Sequence, residues 1–357
     1  MGALLIALTL GLAFANGAND VSKGISTLVG SGVTDYRRAV IWGSLWTLLG
    51  ALLASLLASG LVATFSGRGL LVTPPEGHAF LTAVGLGAIG WLLIATRTGL
   101  PVSTTHALVG GLCGAGIAAG GVHGVLWGAV GAKAAIPLAT SPLISLALMG
   151  AAFPLIRVGF RRFDRYCVCL ERQELVVATA SGAAAIQEIR TSAVVGRDCP
   201  PQVLTRVGVM DSLHWVSSGL TNLFRGLNDA PKVLALGLAA AGVAGLQGTS
   251  LYFLVALAMG AGSYLAGARV TGTLANKVTP MTPSDGFAAN LVTSVLVASA
   301  SSLGVPVSTT HVSSSSIIGI GLHHRSVRWR TVIDVLLAWV VTLPVAGVIA
   351  YLAFRLL

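Results

Sequence analysis

The stretch Leu100-Pro-Val-Ser-Thr-Thr-His106 recurs as Val305-Pro-Val-Ser-Thr-Thr-His311, and each copy follows an Asn-Asp pair, Asn19-Asp20 or Asn228-Asp229, by about eighty residues. The offset is 209 positions between the Asn-Asp pairs and 205 between the Ser-Thr-Thr-His copies, so the chain is one unit written twice. Polar motifs set at matched places in a duplicated apolar chain point to a binding site near the membrane midplane, built by both copies.

Composition agrees with a membrane setting. Of 357 residues, 54% are hydrophobic and 10% charged, with mean hydropathy +0.85, far from a soluble domain. Runs near the twenty residues needed to span include Ala39 to Thr64, Ala79 to Ala95, Ala134 to Leu155, Leu251 to Ala266, Phe287 to Ser302 and Val332 to Phe354. Met1 to Ala15 has no basic n-region and runs straight into the first motif, so it reads as the first half of a membrane helix rather than a signal peptide.

The net charge of +10 is explained by topology, with no nucleic-acid partner. Arg161, Arg162, Arg165, Arg172, Arg190, Arg197 and Arg206 crowd one polar segment, which the positive-inside rule assigns to the cytoplasm. The chain thus divides into a first transmembrane repeat (1–157), a basic cytoplasmic loop (158–206) and a second repeat (207–357). Gln173 to Val195 is expected to form one amphipathic helix on the membrane surface or to stay loosely ordered, with no second soluble domain. Cys167, Cys169 and Cys199 fall in this loop and Cys113 in an apolar run. A cytoplasmic address implies free thiols, and a fourth ligand at zinc-site spacing is lacking.

An intramembrane carboxylate costs at least about 2.5 kcal/mol, so Asp20 and Asp229 each need a partner or a proton. The plain reading pairs each with the Lys three residues on, Lys23 and Lys232, on the same helical face. Two such pairs at matched positions beside a second polar motif favour binding of a substrate or a coupling cation. Gly17, Pro231 and flanking glycines suggest that the helix carrying each pair is discontinuous there.

The second motif supplies anion-binding groups. Pro101 and Pro306 suit a first-turn position, which places Ser103, Thr104, Thr105 and Ser308, Thr309, Thr310 in the opening turn of a short helix. Unpaired N–H groups, the positive dipole end and added hydroxyls make an oxyanion cradle there. The alternative is that these hydroxyls bond to their own helix or a neighbouring one. The segments Gly99 to Gly120 and Gly304 to Gly321 are Gly-rich and short, and read as re-entrant hairpins. His106 and His311 are structural residues or a proton relay. The run Ser313 to Ser316, opposite Leu108-Val-Gly-Gly111 in the first copy, is small-residue packing or a mark of substrate preference.

Standing as GANDVSKG and RGLNDAPKV, and as GLPVSTTHALVG and GVPVSTTHVSSSS, these motifs resemble the signature of the inorganic phosphate transporter (PiT) family. The resemblance covers all but the loop from about Phe160 to Pro201. It implies inverted-topology repeats, an anion held between the Asn-Asp motifs and the Ser-Thr-Thr clusters, cation symport and a homodimer. Asn19, Asp20, Asn228 and Asp229 would then line the site, with Asp20 and Asp229 helping to hold sodium where sodium is used.

Two departures bear on the cation. The family's final Asn of the first motif is Lys23 here, and an ammonium one turn from a carboxylate takes the place of a bound sodium electrostatically. A position often acidic in the second repeat is Asn290. Both favour protons over sodium. With Lys23, Lys232 and Arg225 around two acids, the centre suits an oxyanion. Phosphate can donate its hydroxyl to Asp20 or Asp229, whereas sulfate only accepts, so sulfate is the second choice. The absence of G-x-x-x-x-G-K-[ST] argues against primary pumping, and the two-fold motif argues against an enzyme. An uncoupled anion channel of the same build is the third reading. The sequence therefore predicts an all-α polytopic protein of the inner membrane, with two inverted repeats, broken helices and re-entrant hairpins.

Overall fold

The computed structural model describes residues 2–57, 65, 69–73, 75, 78–160, 162–163, 166–179, 182–195, 203–241, 248–305 and 307–357. The first repeat contains α1 (Gly2–Asp20), α2 (Ser22–Gly30), α3 (Tyr36–Leu57), α4 (His78–Thr98) and α5 (Thr104–Gly120). A short α6 (Trp127–Val130) then leads through a π-helical turn into α7 (Ile136–Phe160). The second repeat contains α8 (Val209–Ala241), α9 (Gly248–Ala266), α10 (Ala268–Asn276), α11 (Pro283–Ser302), α12 (Thr309–His324) and α13 (Trp329–Leu356). Among the described residues, six helical stretches are long and apolar enough to cross a membrane: Gly2–Gly30, Tyr36–Ser55, His78–Thr98, Trp127–Phe160, Gly248–Ala266 and Trp329–Leu356. The expected span Phe287 to Ser302 is helical as α11 but is not among the six. Its Asn290, Thr293 and Ser294 are buried against other helices and lower its hydropathy.

The duplication is visible element by element. Helix α1 corresponds to α8, α3 to α9, α4 to α11, α5 to α12, and α6–α7 to α13. Equivalent helices exchange partners: α1 packs on α9 while α3 packs on α8, and α5 packs on α13 while α12 packs on α7. Such reciprocal contacts are those of an isologous two-fold interface, here within one chain. Small residues set the crossings. A Cβ on Gly17 would lie 2.0 Å from the Met259 carbonyl oxygen, and one on Gly50 would lie 1.9 Å from that of Leu223. Gly17 is therefore a point of backbone contact between helices rather than a bend.

Three expectations are corrected. The helix bearing the Asn-Asp motif is not broken in the second repeat: α8 runs through Asn228, Asp229 and Pro231 without interruption. In the first repeat only Val21, itself in helical geometry, separates α1 from α2. Proline removes one donor, but the side chains around it are held by partners on other helices and the helical path survives. Second, Pro101 is not in a first turn. The N-cap of α5 is Ser103, in extended conformation, with its side chain accepting from the His106 N–H, and Ser308 caps α12 in the same way. Gly99 (φ 77°) and Gly304 (φ 65°) make the equivalent left-handed turns that lead into these segments. Pro306 and Cys199 lie outside the described residues.

Third, Gln173 to Val195 is neither a surface helix nor loose. Strand β1 (Tyr166–Thr179) pairs antiparallel along its whole length with β2 (Gly182–Val195), from Tyr166 opposite Val195 to Thr179 opposite Gly182. Strand β3 (Val203–Gly208) pairs with the other edge of β1, in the order β2-β1-β3. The runs of Val, Ile and Thr in both arms favour strands once a partner is available. Strand β3 ends at Gly208 and α8 begins at Val209, so the sheet is joined directly to the motif helix.

Candidate functional site

Helices α1 and α2 bring Asn16, Asn19, Asp20 and Lys23 to the centre of the protein, and α8 brings Arg225, Asn228, Asp229 and Lys232. All are buried. Each aspartate pairs with the lysine one turn on: Lys23 Nζ lies 2.5 Å from Asp20 Oδ1, and Lys232 Nζ lies 3.1 Å from Asp229 Oδ1. The plain sequence reading of these pairs is therefore realised, but the lysines also reach across to the other repeat. Lys23 donates to Thr309 Oγ1 at 3.3 Å, and Lys232 donates to Thr105 Oγ1 at 2.9 Å and to the Val307 carbonyl at 3.0 Å.

The Asn16 amide joins the two halves. Its Nδ2 lies 2.9 Å from Asp20 Oδ2, 3.3 Å from Asp229 Oδ2 and 2.9 Å from Thr104 Oγ1. Arg225, the repeat equivalent of Asn16, directs its guanidinium at Asn16 Oδ1 (3.5 Å), Ser263 Oγ (3.4 Å) and Thr47 Oγ1. Three cations thus face two carboxylates, leaving one formal positive charge in a buried centre.

The threonines and the serines behave differently. Thr104 and Thr309 meet Asn16, Lys23 and Asp229, with Thr309 Oγ1 3.5 Å from Asp229 Oδ2. Thr310 donates to the Val102 carbonyl at 2.8 Å and Thr105 to that of Val307 at 3.5 Å, so each segment clamps its twin. Ser103 and Ser308 cap their helices. The openings of the two helices, where the first N–H groups lack intrahelical partners, meet through these contacts.

Asn19 and Asn228 act as struts. Asn19 Nδ2 donates to Thr96 Oγ1 at 3.1 Å and to the Leu100 carbonyl at 3.0 Å, while its Oδ1 accepts from the Val102 N–H at 3.1 Å. Asn228 Nδ2 repeats the first bond on Ser301 Oγ at 2.8 Å. His106 and His311 lie with ring centroids 4.4 Å apart, and His311 stacks on Trp339 at 3.9 Å while its Nδ1 approaches the Leu138 carbonyl at 3.3 Å. His106 Nδ1 and His311 Nε2 have no hydrogen-bond partner among the described residues. Asn290, the departure from an acid, spans α11 and α2 through Thr27 Oγ1 (2.9 Å) and the Gly24 carbonyl (3.3 Å).

Asn16, Thr47 and Ser263 complete the centre, and sequence reasoning did not select them. Asn16 could have been found as the position that Arg225 occupies in the other copy. Thr47 and Ser263 are single hydroxyls in apolar helices and carry no such signal.

A helical membrane protein whose two halves contribute the same acid, lysine and hydroxyl groups to one buried polar centre is built as a secondary transporter. Family comparison matches residues 16–350 to the Phosphate transporter family. The chain belongs to this family, which is one of transporters and not of enzymes. It is 29% identical over 98% of its length, and 94% of the relative's, to a "Probable low-affinity inorganic phosphate transporter" of Rhizobium meliloti (strain 1021). A protein of the same description from Mycobacterium bovis is 31% identical over 99% of this chain and 77% of its own. A solved structure titled "The sodium-dependent phosphate transporter" shares the fold, with TM-score 0.77 at 20% identity over 99% of this chain and 98% of that one.

Proposed function

We propose that the chain carries inorganic phosphate across the inner membrane by cation symport, with the anion held between the two Asn-Asp-x-x-Lys motifs and the openings of α5 and α12. The observation that carries this reading is the convergence of Lys23, Lys232, Asp20, Asp229 and the Thr104, Thr105 and Thr309 hydroxyls on one buried centre. A phosphate oxygen would take the lysine and hydroxyl donors now shared with threonines. Its own O–H would donate to a carboxylate, which sulfate cannot do. The two repeats are inverted about an axis in the membrane plane, α5 and α12 are the re-entrant arms, and alternating access follows from rocking the site-bearing helices against the rest. The linker sheet faces the cytoplasm, and the protein assembles as a homodimer.

The coupling ion is the proton. A sodium ion needs carboxylate oxygens, and the Lys23 ammonium sits 2.5 Å from one of them. The test is uptake of labelled phosphate into proteoliposomes, with labelled sulfate in parallel, under an imposed proton gradient and then a sodium gradient. Accumulation driven by protons alone is expected. Accumulation only with sodium would overturn the coupling assignment, and preference for sulfate would overturn the substrate.

A further inference from the structure

Because the chain is duplicated, the central site has two pseudo-equivalent approaches, and they are chemically unlike. One runs along α8 from Asp229 back to His214, about 22 Å at 1.5 Å per residue, and is closed by α2 and α11, with α12 packed on both of these. Its face of α8 carries His214, Ser218, Thr221, Asn222 and Arg225 at helical spacing, all buried. The twin approach runs along α1, where the same positions are Leu5, Thr9, Leu12, Ala13 and Asn16. The walls differ in the same sense. Ser26 and Thr27 of α2 correspond to Ala235 and Leu236, Asn290 of α11 to Gly85, and Ser313 to Ser316 to the run Leu108-Val-Gly-Gly111. The twin is packed apolar, with Leu236 and Leu8 closing on Gly85.

The polar approach is also poorly satisfied when shut. Among the described residues, Ser26 Oγ, Ser218 Oγ, Asn222 Oδ1, Ser314 Oγ and both ring nitrogens of His214 are buried without a hydrogen-bond partner. Buried polar groups left unpaired penalise the closed state, and water relieves that penalty once the helices part. Parting the leucine-lined twin exposes mainly apolar surface and relieves less, since on its α4 wall Thr82 Oγ1 alone among the described residues is buried without a partner. Between Asp211 or Asp285 at the outer end and Asp229 at the inner end, the polar wall holds no carboxylate, only neutral donors and Arg225. That lining suits an anion rather than a metal cation.

We infer that the α2–α8–α11–α12 interface is the hydrated half-pathway by which the oxyanion passes between the central site and the side of the membrane bearing the linker sheet, with His214 near its mouth. The two repeats are unequal in this: on the linker side it is the polar α8 approach that opens to water, and not its apolar twin. This rests on the transport reading above.

The test compares cysteine probes at Ser218 and Asn222 with probes at their twins Thr9 and Ala13, in a background carrying Cys113→Ala, Cys167→Ser, Cys169→Ser and Cys199→Ser. A charged, membrane-impermeant thiol reagent is added to proteoliposomes, on the linker side, during phosphate uptake. Ser218→Cys and Asn222→Cys should react at least about tenfold faster than Thr9→Cys and Ala13→Cys, and phosphate should slow them. Equal rates in the two sets, or no reaction at Ser218→Cys and Asn222→Cys, would overturn the inference. In the chain with its native cysteines, His214→Leu with Asn222→Ala copies Leu5 and Ala13 of the twin. It should raise thermal stability, lower maximal uptake about tenfold or more and leave half-saturation little changed. Unaltered maximal uptake would also overturn the inference. Wild-type phosphate uptake measured alongside separates the two readings: its absence defeats the transport assignment, whereas its presence with symmetric probe rates defeats this inference alone.

Discussion

Asp20 and Asp229, 209 positions apart in the chain, share one donor: the Asn16 side-chain amide lies 2.9 Å from Oδ2 of the first and 3.3 Å from Oδ2 of the second. Their other oxygens are held by Lys23 and Lys232. The carboxylates therefore behave as one unit across the repeat boundary, and neither can change charge without the other sensing it.

Asp20→Asn and Asp229→Asn should each abolish coupled phosphate uptake while leaving the protein in the membrane. Removing one partner of a buried ion pair costs about 3–5 kcal/mol, so each variant should also melt earlier in detergent. Adding Lys23→Gln to Asp20→Asn should recover the melting temperature but not uptake. Near-normal accumulation in either single variant would refute a role for the pair in transport.

The serines and threonines of the duplicated motif should separate by readout. Ser103 and Ser308 are N-caps, so each Ser→Ala change should cost about 1 kcal/mol of stability. Thr105 Oγ1 lies 2.9 Å from Lys232 Nζ, and Thr105→Val removes the hydroxyl that would donate to the bound anion, a charge-assisted bond of about 1.5–3 kcal/mol. The expected result is a half-saturation concentration raised about tenfold or more with little loss of expressed protein. Concentration dependence of uptake and detergent melting curves check both. An unchanged half-saturation in Thr105→Val would exclude that hydroxyl from the site.

What the sequence made legible follows from repetition. Asp20, Lys23, Asp229, Lys232 and the threonines stand out because each occurs twice, and the structure brings them together. Asn16 and Arg225 occupy one repeat position with different residues, so repetition hides their partnership. The polar walls of the α8 approach are invisible for the same reason: Ser26, Asn222 and Asn290 have no polar twins. The linker's strands are not legible locally because strand propensity depends on a partner, and the match of Tyr166 to Val195 lies 29 residues along the chain. The unbroken α8 shows that Pro231 is tolerated in a helix held on several sides.

Gly17→Ala and Gly50→Ala test the helix crossings. The added methyl would fall 2.0 Å from the Met259 oxygen in one case and 1.9 Å from the Leu223 oxygen in the other, so the backbones must separate. Overpacking of this kind costs about 1–3 kcal/mol, and both variants should show lower melting temperatures and lower maximal uptake. Because the two crossings are related by the repeat, their losses should be similar in size. A Gly17→Ala protein as stable as wild type would mean that α1 and α9 pack less closely than described.

On the proton-coupled reading proposed above, Lys23 stands where a sodium ion would bind. Its ammonium lies 2.5 Å from Asp20 Oδ1, where it presents the single positive charge that a bound sodium would bring. It also reaches Thr309 at 3.3 Å, so it ties the first repeat's acid to the second repeat's hydroxyl. Lys23→Asn restores the residue that the family signature carries there and frees the carboxylate for an exchangeable cation. The total positive charge around the substrate falls by one, so phosphate affinity without sodium should fall. Sodium should now stimulate uptake, which the wild-type chain should not show, and the half-saturation for phosphate should drop as sodium rises. Uptake by Lys23→Asn that stays indifferent to sodium would show that the ammonium is not standing in for the ion.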